Sequence, residues 1–125
     1  MYDTDYRIVL CGASAYDKKY YFNDKFSGLP SNVKEELHII CVLFTEEVGG
    51  IFTIGYTPEG KVVLDTRAGE GDLLYDDIGS GLLAKKIRST KQELFRALSI
   101  YYKVQFLHMD ASALLEEDDE DDDED

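Results

Sequence analysis

The sequence predicts an α+β fold, in which a single domain has a mainly antiparallel sheet of about four strands and helices packed on one face. Three observations support this prediction. Two pairs of strand-like segments are each joined by a short turn, each pair is followed by a helix-like segment, and the 125 residues suffice for one core. The predicted order is hairpin, helix, hairpin, helix. We place the domain at residues 1–110 and assign residues 111–125 to a disordered acidic tail.

Two parts of the chain have the composition of β-hairpins. Residues 7–16 (RIVLCGASAY) and 18–23 (KKYYFN) are rich in β-branched or aromatic side chains and are separated by Asp17. Residues 51–57 and 61–66 alternate in polarity around a Pro-Glu-Gly turn. Each pair therefore predicts two adjacent antiparallel strands.

A helix is predicted over residues 31–48. Ser31 is a candidate N-cap, apolar side chains follow at helical spacing, and Gly49 suits the position after the last turn. The run HIICVLF also fits a buried strand, but the start signal and the length favour a helix. A helix that is apolar almost all round is covered on more than one side, either by the sheet and a second helix or by a second subunit in a homodimer.

The second half of the chain gives one ambiguous and one clear helix signal. Leu74, Ile78 and Leu82 keep a four-residue spacing, but two intervening glycines disfavour a helix, so residues 69–88 fit either a short helix or an irregular segment. Thr90 and Glu93 have the spacing of a capping box, which predicts a helix over residues 91–107. Its predicted inner face consists of Leu94, Leu98, Tyr101 and Tyr102.

The net charge of −13 is concentrated at the C-terminus. Residues 116–125 are ten acids, which leaves 16 acids and 13 bases in the preceding residues. The polyanionic tail makes nucleic acid an unlikely partner for the intact chain. The N-terminus lacks the basic and long apolar regions of a signal peptide, and no stretch is long enough to span a bilayer. We therefore expect a cytoplasmic protein without membrane contact, whose two cysteines are reduced core residues.

Four segments, VLCGASAYDKKYYFN, LHIICVLFTEEVGG, EGDLLYDDIGSGL and KQELFRALSIYYKV, resemble a family of small bacterial proteins defined as a domain of unknown function. The likeness covers residues from about 7 to 107. The resemblance implies a bacterial cytoplasmic protein, and it supplies no reaction, ligand or catalytic residue.

For three kinds of functional site, the sequence favours structural roles of the same residues. Gly79 and Gly81 precede two lysines, but the spacing is not that of a phosphate-binding loop. The acids at positions 70–77 do not alternate as calcium ligands do, and His38 with Cys41 offers too few ligands for zinc. Neither histidine lies in a catalytic motif. We therefore predict no catalytic residues, cofactor or metal, and expect that the protein is not an enzyme.

The remaining candidates are two surfaces. Apolar side chains among acids and glycines can form an anchor with a polar rim, which predicts a partner surface made of Asp72, Leu73, Leu74, Tyr75, Asp76 and Asp77. If the last helix extends back through residue 85, a basic stripe forms along one face from Lys85, Arg88, Arg96 and Lys103.

These surfaces lead to a prediction of function. We predict a non-enzymatic protein-interaction or regulatory module whose protein partner is unknown. One alternative is a small-molecule-binding protein or enzyme with a pocket between sheet and helices, lined by Tyr16, Tyr20, Tyr21, Tyr56, Tyr101 and Tyr102. A further alternative, suggested by charge alone, is an acidic inhibitor or immunity-type protein.

Overall fold

The computed structural model describes residues 8–117 and confirms the α+β prediction. The strands are β1 (Ile8–Ser14), β2 (Lys19–Phe22), β3 (Ile51–Tyr56) and β4 (Val62–Arg67). The helices are α1 (Ser31–Val48), α2 (Asp77–Thr90), α3 (Gln92–Gln105) and α4 (Ala111–Glu117), and a 3-10 turn covers Asp24–Phe26. Both predicted hairpins are present, so the differences from the prediction lie in the number and ends of the helices.

The four strands form one antiparallel sheet in the order β2-β1-β3-β4. The two central strands therefore come from different hairpins, and β1 has a bulge between Val9 and Cys11. Residues of the face that carries the helices are buried, such as Ala13, Phe52 and Ile54. The alternating residues Val9 and Tyr21 are exposed, as period-2 side chains on the opposite face of a one-sided sheet should be.

Helix α1 packs on β1 and β3 and contacts α2. The helix interpretation of HIICVLF is therefore confirmed and the strand alternative is wrong. Ser31 is not the N-cap, because Pro30 occupies that position and no side chain caps the helix. Gly49, at φ 78°, ends the helix as predicted, and its N–H donates to the Thr45 carbonyl. The sheet and α2 cover α1 from two sides, while Ile39 and Leu43 on its outer face stay exposed.

Helix α2 settles the ambiguity over residues 69–88, because residues 77–90 are helical and residues 68–76 are irregular. Asp76 is the N-cap, and its carboxylate accepts a hydrogen bond from the Gly79 N–H at 2.8 Å. Ser80 is buried, and Leu83, Ala84 and Ile87 pack against the core. The spacing of Ile78 and Leu82 marks the opposite, exposed face of this helix.

The helical conformation is interrupted at Lys91, which has φ −114° and ψ 32°, and α3 begins at the next residue. The predicted capping box is wrong, because Thr90 is the last residue of α2 and its hydroxyl donates to the Lys86 carbonyl. The buried face consists of Phe95, Leu98 and Tyr102. Tyr102 stacks on Tyr56 of β3 with 4.5 Å between ring centroids, which fixes α3 against the sheet.

Helix α4 lies within the segment that the sequence assigned to a disordered tail, and the structure describes residues 111–117 as helical. Ser112 N–H donates to the Asp110 carboxylate at the start of the helix, and α4 contacts α3. Leu114 is 7% exposed. Burial of one leucine offsets part of the conformational entropy that is lost when a short segment becomes ordered. The predicted disorder of residues 118–125 lies outside the described residues.

Truncation tests the contribution of α4 to stability. A chain ending at residue 110 is expected to melt at a lower temperature than a chain ending at residue 117, because only the shorter chain loses the buried Leu114 and the packing of α4 on α3. Thermal unfolding of both chains, followed by circular dichroism, measures the difference. Equal melting temperatures would show that α4 contributes nothing to the stability of the domain.

Candidate functional site

The loop over residues 68–76 is tied to the first hairpin by Tyr16. The Tyr16 hydroxyl donates to the Asp72 carboxylate at 2.5 Å and accepts from the Gly69 N–H at 2.6 Å. The hydrogen bond that this hydroxyl donates to the Asp72 carboxylate raises the pKa of Tyr16, because it stabilises the protonated phenol. Asp72 also accepts from the Leu74 N–H at 3.0 Å, so a single carboxylate shapes the loop and connects it to the turn that follows β1.

A second tyrosine fastens the other end of the same loop. The Tyr75 hydroxyl forms a hydrogen bond with the Thr66 hydroxyl of β4. Its ring lies directly over Gly50, at a point where a Cβ atom would collide with the ring. Tyr16 and Tyr75 therefore hold residues 69–75 against both hairpins, which makes the position of the loop defined although it has no regular structure.

This anchoring leaves an apolar surface exposed to solvent. Leu73 and Leu74 are each 94% exposed, Ile78 is 76% exposed and Leu82 is 64% exposed. We call these four residues the exposed apolar surface. It starts in the anchored loop, continues along the outer face of α2, and is accompanied by exposed acids at positions 70, 76 and 77.

The six residues of the predicted partner surface divide into two groups. Asp72, Tyr75 and Asp76 hold the loop and cap α2 through the hydrogen bonds described above. Leu73, Leu74 and Asp77 are exposed. The sequence missed Ile78 and Leu82 as surface residues, although their spacing from Leu74 was the available signal.

The four residues of the predicted basic stripe do not lie on one continuous helix. Lys85 and Arg88 belong to α2, whereas Arg96 and Lys103 belong to α3 beyond the break at Lys91. The Lys103 side chain also packs over Gly60. The extension of the last helix back through residue 85 is therefore wrong, and the basis for a single stripe is lost.

Asp76, at the start of α2, has a structural role. The Asp76 carboxylate accepts the hydrogen bond of the Gly79 N–H at the N-terminus of α2. This N–H group is therefore not free to bind an external anion. Within residues 8–117, no three histidine, cysteine or acidic side chains come close enough together to hold a metal ion.

The tyrosines do not converge on one pocket. Tyr56 and Tyr102 are in the core, and the Tyr56 hydroxyl donates to the Leu98 carbonyl at 2.9 Å. Tyr16 anchors the loop, and Tyr21 is on the open face of the sheet. Only Tyr20, of the six proposed, lines the cleft of about 430 Å³ between β2 and α1.

The closed side of this cleft is an aromatic stack. The Tyr20 ring stacks on His38 with 4.2 Å between centroids and 19° between planes. Behind it, the Cys11 and Cys41 sulfurs lie 3.7 Å apart as fully buried free thiols. Burial next to these thiols raises the pKa of Tyr20, whose hydroxyl has no hydrogen-bond partner within residues 8–117. The hydrogen bond with Cys11 and burial raise the pKa of the Cys41 thiol in the same direction.

None of the helices described combines the length and apolar character needed to cross a membrane.

Comparison with known proteins gives one family. No curated protein and no solved structure matches the chain. A family model described as a family of unknown function (DUF6145) matches residues 7–110, which include all four strands, the anchored loop and the cleft. The chain therefore belongs to DUF6145, a family of unknown function.

Proposed function

We propose that this chain is a non-enzymatic protein-interaction module of the bacterial cytoplasm, and that its partner docks on the exposed apolar surface. The observation that carries the proposal is the anchored loop, which holds Leu73 and Leu74 at 94% exposure each. Two adjacent leucines almost fully in water forgo about 1.5–3 kcal/mol each of burial free energy. A partner that covers them recovers that free energy.

The anchoring of the loop supports binding by reducing the entropic cost of association. Ordering a loop on binding costs about 1–2 kcal/mol per residue, which lowers affinity. Here Tyr16 and Tyr75 already fix both ends of the loop through side-chain hydrogen bonds. The two leucines are thus presented before a partner arrives.

The charges around the exposed apolar surface indicate the chemistry of the partner. Glu70, Asp76 and Asp77 are exposed acids next to the leucines. An apolar centre with a polar rim is the common anatomy of protein interfaces. The complementary partner surface is an apolar pocket bordered by lysine or arginine, and such charge complementarity mainly accelerates association.

A double substitution at the leucines tests the proposal. The L73S/L74S chain is expected to lose a stoichiometric partner that the unchanged chain captures from its native cytoplasm, because the apolar anchor is removed while the backbone hydrogen bond at Leu74 remains. The measurement is quantitative mass spectrometry of the captured proteins. Tyr21→Ser is the matched control, since Tyr21 is 56% exposed on the open face of the sheet.

Two outcomes would contradict the proposal. One is that L73S/L74S captures the same partner as the unchanged chain at the same stoichiometry. The other is that Tyr21→Ser loses the partner while the leucine variant keeps it, which would place the interface on the sheet. Melting temperatures of both variants show whether each domain is still folded.

A further inference from the structure

The cleft between β2 and α1 is separate from the exposed apolar surface and shares no residue with it. Its volume of about 430 Å³ lies within the range of about 300–1,000 Å³ that small-molecule sites occupy. The position of α1 explains the cleft. Lys34 lies over the Phe22 ring and His38 stacks on Tyr20, so α1 runs antiparallel to β2 and its next turn faces the start of that strand.

The lining of the cleft is apolar on one side and charged at the mouth. Ala13 and Val42 leave the interior wide because their side chains are small, and the Tyr20–His38 stack closes one side. The charged residues that line it are Lys18, Lys19 and Glu46. Lys18 can supply a positive charge to a ligand anion, and Glu46 disfavours a second negative charge on the ligand. The Lys19 side chain, two residues before Tyr21 on β2, projects from the open face of the sheet.

Lys18 has a backbone conformation that supports a role beyond structure. Its φ of 53° lies in the left-handed region, where glycine is favoured. Within residues 8–117, the only other non-glycine residue with a positive φ is His108. A residue with a side chain at a position where glycine would be more stable is typical of functional sites. The strain at Lys18 places an ammonium side chain on the lining of the cleft, which glycine cannot do.

We propose that the cleft binds a small organic anion that has a single carboxylate and an apolar or aromatic body. The carboxylate pairs with Lys18 at the mouth. The body packs against Ala13, Val42 and the Tyr20–His38 stack. A single negative charge suits the site, because Lys18 offers one positive charge and Glu46 would repel a more highly charged ligand.

Indole-3-acetate is a suitable probe, and its neutral amide, indole-3-acetamide, is the matched control. Titration of the full chain with the acid is expected to shift backbone amide signals of residues 13–20 and 38–46 in two-dimensional NMR spectra. The amide is expected to bind more weakly by roughly threefold, since it cannot form the charge-assisted contact with the exposed Lys18 ammonium. No localised shifts with the acid, or equal affinity for acid and amide, would overturn the proposal.

Three variants separate ligand binding from stability. Lys18→Gly should raise the melting temperature by relieving the left-handed strain, and at the same time should weaken binding of the acid. Val42→Trp should abolish binding by filling the cleft. Lys25→Gln, an exposed lysine outside the cleft, should bind as the unchanged chain does. If Lys18→Gly binds the acid as tightly as the unchanged chain, or if Lys25→Gln weakens binding equally, the lysine assignment is wrong and the proposal is overturned.

Discussion

Replacing Phe44 by alanine is expected to lower the free energy of unfolding by about 3–5 kcal/mol, the range for aromatic side chains removed from a packed core. Phe44 is 1% exposed and stacks on Phe52 of β3 with 4.1 Å between ring centroids. This contact is part of the attachment of α1 to the central strands. Its loss leaves a cavity between the helix and the sheet.

Urea denaturation followed by circular dichroism measures this change. Leu43→Ala is the matched control, because Leu43 is the preceding residue of the same helix and is 57% exposed. Surface substitutions of this kind stay within about 0.5 kcal/mol of the unchanged protein. Comparable losses at both positions would contradict the packing of α1 described here, since they would mean that its outer face is also covered.

A comparable effect is expected for Gly50→Ala, at the residue that precedes β3. Gly50 has φ 74°, which costs a side-chain-bearing residue about 1–3 kcal/mol. An added Cβ would also lie 2.7 Å from the Arg67 carbonyl oxygen and against the Tyr75 ring. Overpacking of this kind costs about 1–3 kcal/mol more. The expected loss of unfolding free energy is therefore about 2–6 kcal/mol.

The substitution should also release the anchored loop, because Tyr75 must move to make room. Limited proteolysis is expected to cut Gly50→Ala within residues 68–76 faster than the unchanged chain. Gly71→Ala is the control, since Gly71 has φ 81° but nothing within 4 Å of an added Cβ. A stability loss at Gly50 no larger than the loss at Gly71 would show that the contact with Tyr75 and Arg67 is unimportant.

The strands and α1 were predictable because local signals decide them. Alternating polarity around a Pro-Glu-Gly turn specifies the second hairpin, and Gly49 marks the end of α1. The exact caps were less predictable. The hydroxyls of Ser31 and Thr90 matched cap preferences, but the backbone enters α1 at Pro30, and Thr90 bonds to the preceding turn of α2.

The face that a helix buries was not predictable from spacing alone. Ile78 and Leu82 share a face by sequence, but which face meets the core depends on how α2 lies against β4 and α1. The structure places Ser80 inward and the two larger side chains outward. Helix periodicity identifies residues that share one face of a helix. Tertiary packing decides whether that face is buried or exposed.

The anchoring of the candidate site depends on contacts between distant parts of the chain. Tyr16 and Asp72 are 56 residues apart, and Cys11 and Cys41 are 30 residues apart. No local pattern connects such pairs, so the sequence could identify Leu73 and Leu74 as surface candidates but not the hydrogen bonds that fix them. The cleft likewise depends on how α1 lies along β2. The contacts of Lys34 and His38 that define this placement form only when the chain folds.

The short length of β2 has a consequence for aggregation. An open sheet has two edge strands, whose unpaired backbone groups can recruit a strand from another molecule. The edge strand β2 has only four residues, and lysines at positions 18 and 19 lie at its start. At its other end, the Asn23 side chain donates to the Val9 carbonyl and closes the ladder. This edge therefore offers little template for intermolecular pairing, which protects the protein during folding and at high concentration.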